Sequence, residues 1–179
     1  DKGILLSFNT PEEFEMIKSP KFQEAWNNTK KSIFRLEALP EYRVGQDLNN
    51  FKKFKNALPY LSTKEKAWFK QLKKAKSKGI KIQRVRVTFF PISDYLKYEI
   101  DFWQHSIKHG EEILFLKDKN YKKIKSIYKF QPKDFWMFDD NILIIFYYDK
   151  KGRWLKEEII ANKKIVDKYI KLKRIFINH

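Results

Sequence analysis

The 179-residue chain carries 39 lysines and arginines against 22 aspartates and glutamates, which gives a formal charge of +17 at pH 7. It has no cysteine, so disulfide frameworks, cysteine zinc sites and cysteine nucleophiles are excluded. Aromatic residues make up 17% of the chain and no apolar run could span a bilayer, so we expect one compact cytoplasmic domain over residues 1–179 without membrane insertion.

The N-terminal residues 1–62 are predicted to form a helical segment that packs on the core of the domain. Thr10 and the proline after it are typical of a helix start, and Ser19 with its following proline restarts the helix. Residues 33–40 alternate apolar and polar side chains and indicate a short strand. Apolar residues at three-residue spacing over 48–54 suggest a further helical face.

Residues 63–179 are predicted to form an α/β core. An amphipathic helix over 63–78 precedes a strand over 80–90, in which β-branched and aromatic residues are frequent. A second helix begins at Ser93, and a short apolar strand follows at 112–116. Because a helix connects them, these two strands should be parallel.

The C-terminal part of the sequence is predicted to add a hairpin, a strand and a helix. Two strand-like runs, 135–138 and 142–148, are separated by an Asp-Asp-Asn turn. A further strand over 154–160 and a helix over 162–177 complete the domain, whereas residues 117–133 show no clear periodicity. The predicted fold class is therefore α/β, with a mixed sheet, at least two parallel strands, a C-terminal hairpin and flanking helices.

The excess positive charge is confined to two segments. Residues 52–86 hold thirteen basic residues and one acid, and residues 117–133 hold seven lysines and one acid. A local excess of this kind attracts polyanions, although solvated helix faces of a lysine-rich protein would give the same pattern. The candidate nucleic-acid-binding residues are Lys52, Lys53, Lys66, Lys70, Lys73, Lys74, Lys78, Lys122, Lys123 and Lys125.

A second set of charged residues lies in an apolar context. Arg84 and Arg86 share one face of a predicted strand, and Arg35 and Glu37 do the same in theirs. Because burial of an unpaired charge is costly, these residues should be paired, and the expected counter-charges are Glu99, Glu111, Asp134 and Asp139. They could form a pocket whose guanidinium groups bind phosphate or carboxylate, or an internal ion-pair network that fixes the fold, which we favour. The candidate pocket residues are Arg35, Glu37, Arg84, Arg86, Tyr98, Glu99, Glu111, Asp134 and Asp139.

Four motifs follow one another along the chain. They are FRLE with LPxYxV over residues 34–44, RVRV with PxSDYLxYE over 84–99, GExI over 110–113 and DFWxFD over 134–139. In this order they resemble an uncharacterised bacterial domain family that is common in actinomycetes beside helix-turn-helix regulators. The resemblance covers residues 20–178 and implies no activity, but it does imply a regulator protein as a partner.

A more distant resemblance is to phospholipase D-like domains. It rests on a helix that ends in glycine, the RVRV strand after it, and the late DFWxFD strand with its hairpin. Active members carry a His-x-Lys motif before that late strand, and residues 130–134 contain no histidine. The resemblance therefore implies a phospholipase D-like half that lacks the catalytic motif.

These patterns together predict a non-catalytic regulatory module that binds DNA, RNA or another polyanion through the two lysine-rich segments, without sequence preference. One alternative is a hydrolase or nuclease built around Arg84, Arg86, Glu99 and Asp139. Another is a protein-interaction module, such as an antitoxin or a repressor subunit, with an acidic partner. No cofactor and no metal is predicted, because the five glycines form no phosphate-binding loop and the three histidines form no metal-binding motif.

Overall fold

A computed structural model of the chain describes residues 19–129 and 133–179, so the helix start predicted at Thr10 lies outside the described residues. The strands are β1 (Ser32–Glu37), β2 (Lys81–Thr88), β3 (Glu111–Lys117), β4 (Phe135–Phe138), β5 (Ile142–Tyr148) and β6 (Trp154–Ile160). The helices are α1 (Pro20–Asn28), α2 (Gly45–Lys55), α3 (Thr63–Ser77), α4 (Asp94–Lys108), α5 (Asp118–Tyr128) and α6 (Lys163–Ile177). Within the described ranges, no helix has the length and apolar character needed to cross a bilayer.

The six strands form one mixed sheet in the order β3-β2-β1-β4-β5-β6. Strands β1, β2 and β3 are parallel to one another, and β4, β5 and β6 add antiparallel pairs. The connection from β2 to β3 runs through α4, as parallel pairing requires. The predicted α/β class, the parallel pair and the C-terminal hairpin are therefore confirmed.

The N-terminal segment contributes more than helices packed on a core. Strand β1 lies between β2 and β4, and its side chains Phe34 and Leu36 are fully buried. Arg35 of this strand lies opposite Arg84 of β2 and Trp136 of β4. Residues 20–62 are thus an integral part of the sheet as well as the source of α1 and α2.

The two faces of the sheet differ in chemistry because side chains alternate along each strand. One face, here called the apolar face, carries Phe34 and Val85 and is covered by α5 and α6. The other, here called the arginine face, carries Ile33, Arg35 and Arg84 and is covered by α1, α3 and α4. The charged candidates predicted on β1 and β2 therefore lie beneath helices rather than at the surface.

Helix α5 occupies most of the segment for which the sequence predicted no element. Only Tyr121 and Ile124 of this helix are buried, and they pack in the core of the apolar face. Two apolar residues span a single helical turn, which is too short a pattern to indicate a helix on its own.

Candidate functional site

The lysines of α3 lie on the side of the helix that faces away from the sheet. A capping box between Ser62 and Glu65 starts the helix, and its apolar side packs Phe69 and Leu72 against the arginine face. The opposite side displays four exposed residues at helical spacing, here called the α3 lysine stripe: Lys66, Lys70, Lys73 and Lys74. In residues 19–129 and 133–179, none of the four forms an ion pair with a carboxylate.

Lysines at the end of α2 are exposed as well. Asn50 of α2 donates a side-chain hydrogen bond to Glu65 of α3 at 2.8 Å, which joins α2 to the first turn of α3. Lys52 and Lys53 are exposed on α2, and Lys78 is exposed directly after α3. These three residues and the α3 lysine stripe are together called the α2–α3 lysine surface.

The second lysine-rich segment lies on the other side of the sheet. Helix α5 packs on the apolar face, whereas α3 packs on the arginine face. The lysines of α5 also form more interactions within the protein than those of the α3 lysine stripe. Lys122 pairs with Asp118 at 2.9 Å, and the Lys125 ammonium lies 4.8 Å from the Tyr121 ring centroid. Lys123 is exposed. The two predicted segments therefore do not merge into one surface.

The arginines of β1 and β2 are paired with carboxylates along the arginine face. Arg84 donates to both carboxylate oxygens of Glu111 at 2.9 Å, and Arg35 donates to one of them at 2.9 Å. Glu37 lies 3.2 Å from Arg84 and 3.4 Å from Arg35. Two guanidinium groups thus share two glutamates.

Arg86 forms a separate ion pair deeper in the molecule. Its side chain is 1% exposed and donates to Glu99 of α4 at 2.7 and 3.1 Å and to the carbonyl of Val87 at 2.9 Å. Burial raises the pKa of Glu99, and the Arg86 guanidinium opposes that shift. With every arginine of this set paired, the geometry favours the ion-pair network over free guanidinium groups that bind phosphate.

A cavity of about 210 Å³ nevertheless opens between the arginine face and helices α2, α3 and α4. Five of the predicted pocket residues line it: Arg35, Glu37, Arg84, Tyr98 and Glu99. Most of the other walls are aromatic and were not predicted from the sequence, among them Tyr42, Trp68, Tyr95, Trp103 and Trp136. Arg86 and Glu111 lie behind these walls in their ion pairs.

Asp47 is the most informative lining residue that the sequence did not indicate. It lies in the first turn of α2 and accepts hydrogen bonds from the hydroxyls of Tyr95 at 2.6 Å and Tyr98 at 2.9 Å. Burial raises its pKa to about 6, against the opposing effect of the two tyrosine hydrogen bonds. No lysine or arginine in the described part of the chain forms an ion pair with it.

Asp134 and Asp139 do not line the cavity. Asp134 lies behind Tyr42, accepts from its hydroxyl and from the backbone N–H of Ala38, and has a pKa raised by burial to about 7. Asp139 lies beside the start of β1, at the opposite end from Glu37, so it is not a counter-charge of the arginines. It accepts three backbone N–H groups from residues 30–32, which outweigh burial and lower its pKa.

The raised pKa values of two carboxyls predict that stability falls as the pH rises. The folded chain holds protons on Asp47 and Asp134 up to about pH 6 and about pH 7, whereas the unfolded chain releases them near pH 4. Between about pH 4 and pH 7 the folded state binds more protons than the unfolded state, so the free energy of unfolding should fall by several kcal/mol, at most about 7 kcal/mol. Urea denaturation across this range measures the fall. Asp134→Asn should make this fall smaller, whereas Asp139→Asn should leave it unchanged. A free energy of unfolding that rises with pH in the wild-type protein would contradict the raised pKa values of Asp47 and Asp134.

The residues that carry the family resemblance meet at this pocket. Arg35, Arg84 and Glu99 come from different motifs and line one cavity, with Glu111 directly behind.

None of the curated proteins compared with the chain matches it. One family model matches residues 20–179. The chain therefore belongs to the family described as a domain of unknown function, DUF6879.

Proposed function

We propose that the chain is a regulatory module that binds nucleic acid or another polyanion through the α2–α3 lysine surface. The observation that carries this proposal is the α3 lysine stripe, whose four ammonium groups are exposed and without carboxylate partners among the described residues. Exposed, unpaired ammonium groups neutralise phosphates and release the counterions that surround them, which is the main source of non-specific nucleic-acid affinity.

The lysines of this surface favour binding that depends little on the nucleotide sequence. Lysine contacts phosphate as a point charge and carries little base information, whereas arginine recognises guanine through two hydrogen bonds. The two arginines of the first basic segment, Arg84 and Arg86, are both engaged in buried ion pairs. Binding to DNA or RNA should therefore depend strongly on salt and weakly on sequence.

Charge reversal on α3 is the direct test of this surface. The triple change Lys70→Glu, Lys73→Glu and Lys74→Glu should lower the affinity for a DNA duplex or an RNA on the order of 100-fold at low salt. Electrophoretic mobility shifts at micromolar protein measure the effect. The matched control reverses Lys122, Lys123 and Lys125, which changes the net charge equally on the other side of the sheet and should cost less than about tenfold.

Two outcomes would contradict the proposal. If both triple variants lose affinity equally, net charge rather than the α2–α3 lysine surface governs binding. If the wild-type protein leaves the mobility of DNA and RNA unchanged at low salt, the surface does not bind nucleic acid.

An acidic protein, such as a regulator encoded with this chain, is a second candidate partner for the same unpaired lysines. Such a complex would survive nuclease treatment, would be displaced by salt, and would be lost in the Lys70, Lys73 and Lys74 variant. Recovery of a defined acidic regulator under these conditions, without bound nucleic acid, would favour this candidate over the first.

The geometry gives the hydrolase alternative no comparable support. A hydrolytic site needs charged groups that converge on a substrate without neutralising one another. Arg84 and Arg86 are each paired with a glutamate, and Asp139 lies at the far end of β1.

A further inference from the structure

We propose that the cavity beneath α2 and α3 is a second binding site, which takes a small organic monocation: an ammonium group on an apolar or aromatic body. The proposal is independent of nucleic-acid binding, because the cavity and the α3 lysine stripe lie on opposite sides of helix α3. Trp68 and Lys64 of that helix line the cavity, whereas Lys70 and Lys73 are exposed on its outer side.

The size of the cavity sets the size of the ligand. An engineered apolar cavity of about 150 Å³ holds one benzene molecule. The cavity in this chain has about 210 Å³ and opens between α2, α3 and α4. It therefore has room for a ligand of roughly ten non-hydrogen atoms, such as one aromatic ring with a short amine chain.

The charges left over after pairing favour a cation. Three arginines, Arg35, Arg84 and Arg86, form ion pairs with three glutamates, Glu37, Glu99 and Glu111. These six side chains together carry no net charge. The remaining charged lining residues are Asp47, Glu65 and Lys64, with a net charge of −1.

Neither remaining carboxylate is compensated by a cation in the part of the chain that the structure describes. Asp47 accepts from two tyrosine hydroxyls, and Glu65 accepts from Ser62 and Asn50. These donors are neutral, so above about pH 6, where Asp47 is ionised, both carboxylates carry a negative charge that no ion pair compensates. A bound cation would compensate them, whereas a bound anion would be repelled.

Three tyrosine hydroxyls of the wall can accept hydrogen bonds from such a ligand. The hydroxyls of Tyr95 and Tyr98 donate to Asp47, and the hydroxyl of Tyr42 donates to Asp134, so these phenol oxygens can only accept further bonds. Arg35 Nε has no hydrogen-bond partner among the described residues, but this atom is buried. An ammonium ligand can therefore donate hydrogen bonds to these phenol oxygens.

The aromatic walls supply the remaining attraction. The Arg35 guanidinium lies 4.6 Å from the Trp136 ring centroid and 5.7 Å from that of Trp68, and Arg84 lies 5.5 Å from that of Trp103. These tryptophan rings thus already form cation–π interactions with guanidinium groups, which are stronger where water is excluded. An ammonium ligand would use the same attraction toward the aromatic groups that line the open part of the cavity.

Binding of matched compounds tests the charge of the ligand. The full chain is titrated with tyramine, its neutral analogue 4-ethylphenol and the anion 4-hydroxyphenylacetate, and separately with choline and its neutral isostere 3,3-dimethylbutan-1-ol. Tryptophan fluorescence reports binding, because Trp68, Trp103 and Trp136 line the cavity. At least one cation should bind about tenfold or more tightly than its neutral partner, and the anion should bind more weakly still. The two series distinguish a primary amine from a quaternary ammonium ligand.

A variant locates the binding. Asp47→Asn keeps an acceptor for the tyrosine hydroxyls but removes the charge, and should weaken the preferred cation about tenfold or more without affecting its neutral partner. The control Asp94→Asn removes an exposed carboxylate at the start of α4 and should leave all affinities unchanged. If Asp47→Asn fails to fold by circular dichroism, Tyr98→Phe, which removes an acceptor oxygen and keeps the ring, should weaken the cation several-fold.

Three results would overturn the proposal. The first is equal or tighter binding of the neutral or anionic partners. The second is no binding of either cation below about 10 mM. The third is undiminished cation affinity in the folded variant of Asp47 or, if that variant does not fold, in the variant of Tyr98.

Discussion

Replacing Arg86 by methionine should lower the free energy of unfolding by about 3–5 kcal/mol. The side chain is 1% exposed and pairs with Glu99, which is itself buried. Methionine fills much of the same volume, so the loss comes mainly from the Glu99 carboxylate that remains buried without its cation. Urea denaturation followed by far-UV circular dichroism at neutral pH measures the change.

A double-mutant cycle separates this ion pair from other effects. Glu99→Gln alone should also destabilise the fold, because it leaves Arg86 buried with a neutral partner. The double variant, Arg86→Met with Glu99→Gln, should lose less than the sum of the two single losses. Strictly additive losses, or a loss below about 1 kcal/mol for Arg86→Met, would show that the pair does not carry the stability assigned to it.

Replacing Glu111 by glutamine should cost a similar amount, about 3–5 kcal/mol. Glu111 is 2% exposed and accepts hydrogen bonds from both Arg35 and Arg84, so its neutralisation leaves two buried guanidinium groups that share only Glu37. The neighbouring residue provides a matched control. Glu112 lies on the opposite face of β3, is exposed, and pairs with Lys81 at 3.4 Å.

The difference in stability loss between the Glu111→Gln and Glu112→Gln variants is the decisive measurement. Glu112→Gln should cost less than about 1 kcal/mol, since exposed ion pairs contribute little. Urea denaturation of both variants under the same conditions measures the difference. Equal effects at Glu111 and Glu112 would contradict the assignment of the arginine face as a buried, charge-balanced layer.

Local patterns in the sequence were sufficient to predict much of the fold. Alternation over residues 84–87 predicted that Arg84 and Arg86 share a face, and the structure confirms it through their ion pairs with Glu111 and Glu99. The helix between strands β2 and β3 predicted that these strands are parallel, which is also confirmed. Both inferences depend only on residues close together in the chain.

The position of β1 and the existence of the cavity could not be predicted in the same way. Strand β1 pairs with β4 about a hundred residues later, and no local pattern encodes a pairing between such distant segments. Asp47, Tyr95 and Trp136 meet in the cavity only because α2, α4 and β4 pack together. Single residues on separate elements give no signal in one sequence.

Asp139 illustrates why charge alone did not identify pocket residues. Its place in a strand-like motif suggested a counter-charge for the arginines. In the structure it follows β4 with a positive φ of 51° and caps the backbone at the start of β1. Aspartate is favoured in turns for this capability, so the turn signature of residues 139–141 was the better guide to its role.

The salt dependence of nucleic-acid binding tests the proposed function most directly. The logarithm of the binding constant for one DNA duplex is measured against the logarithm of the salt concentration for wild type and the two lysine variants. Reversal of Lys70, Lys73 and Lys74 should reduce the magnitude of the slope by about 2 to 3, because three phosphate contacts are lost. Reversal of Lys122, Lys123 and Lys125 should change it by less than about 1. Equal slopes for the two variants, or a wild-type slope near zero, would contradict binding through the α2–α3 lysine surface.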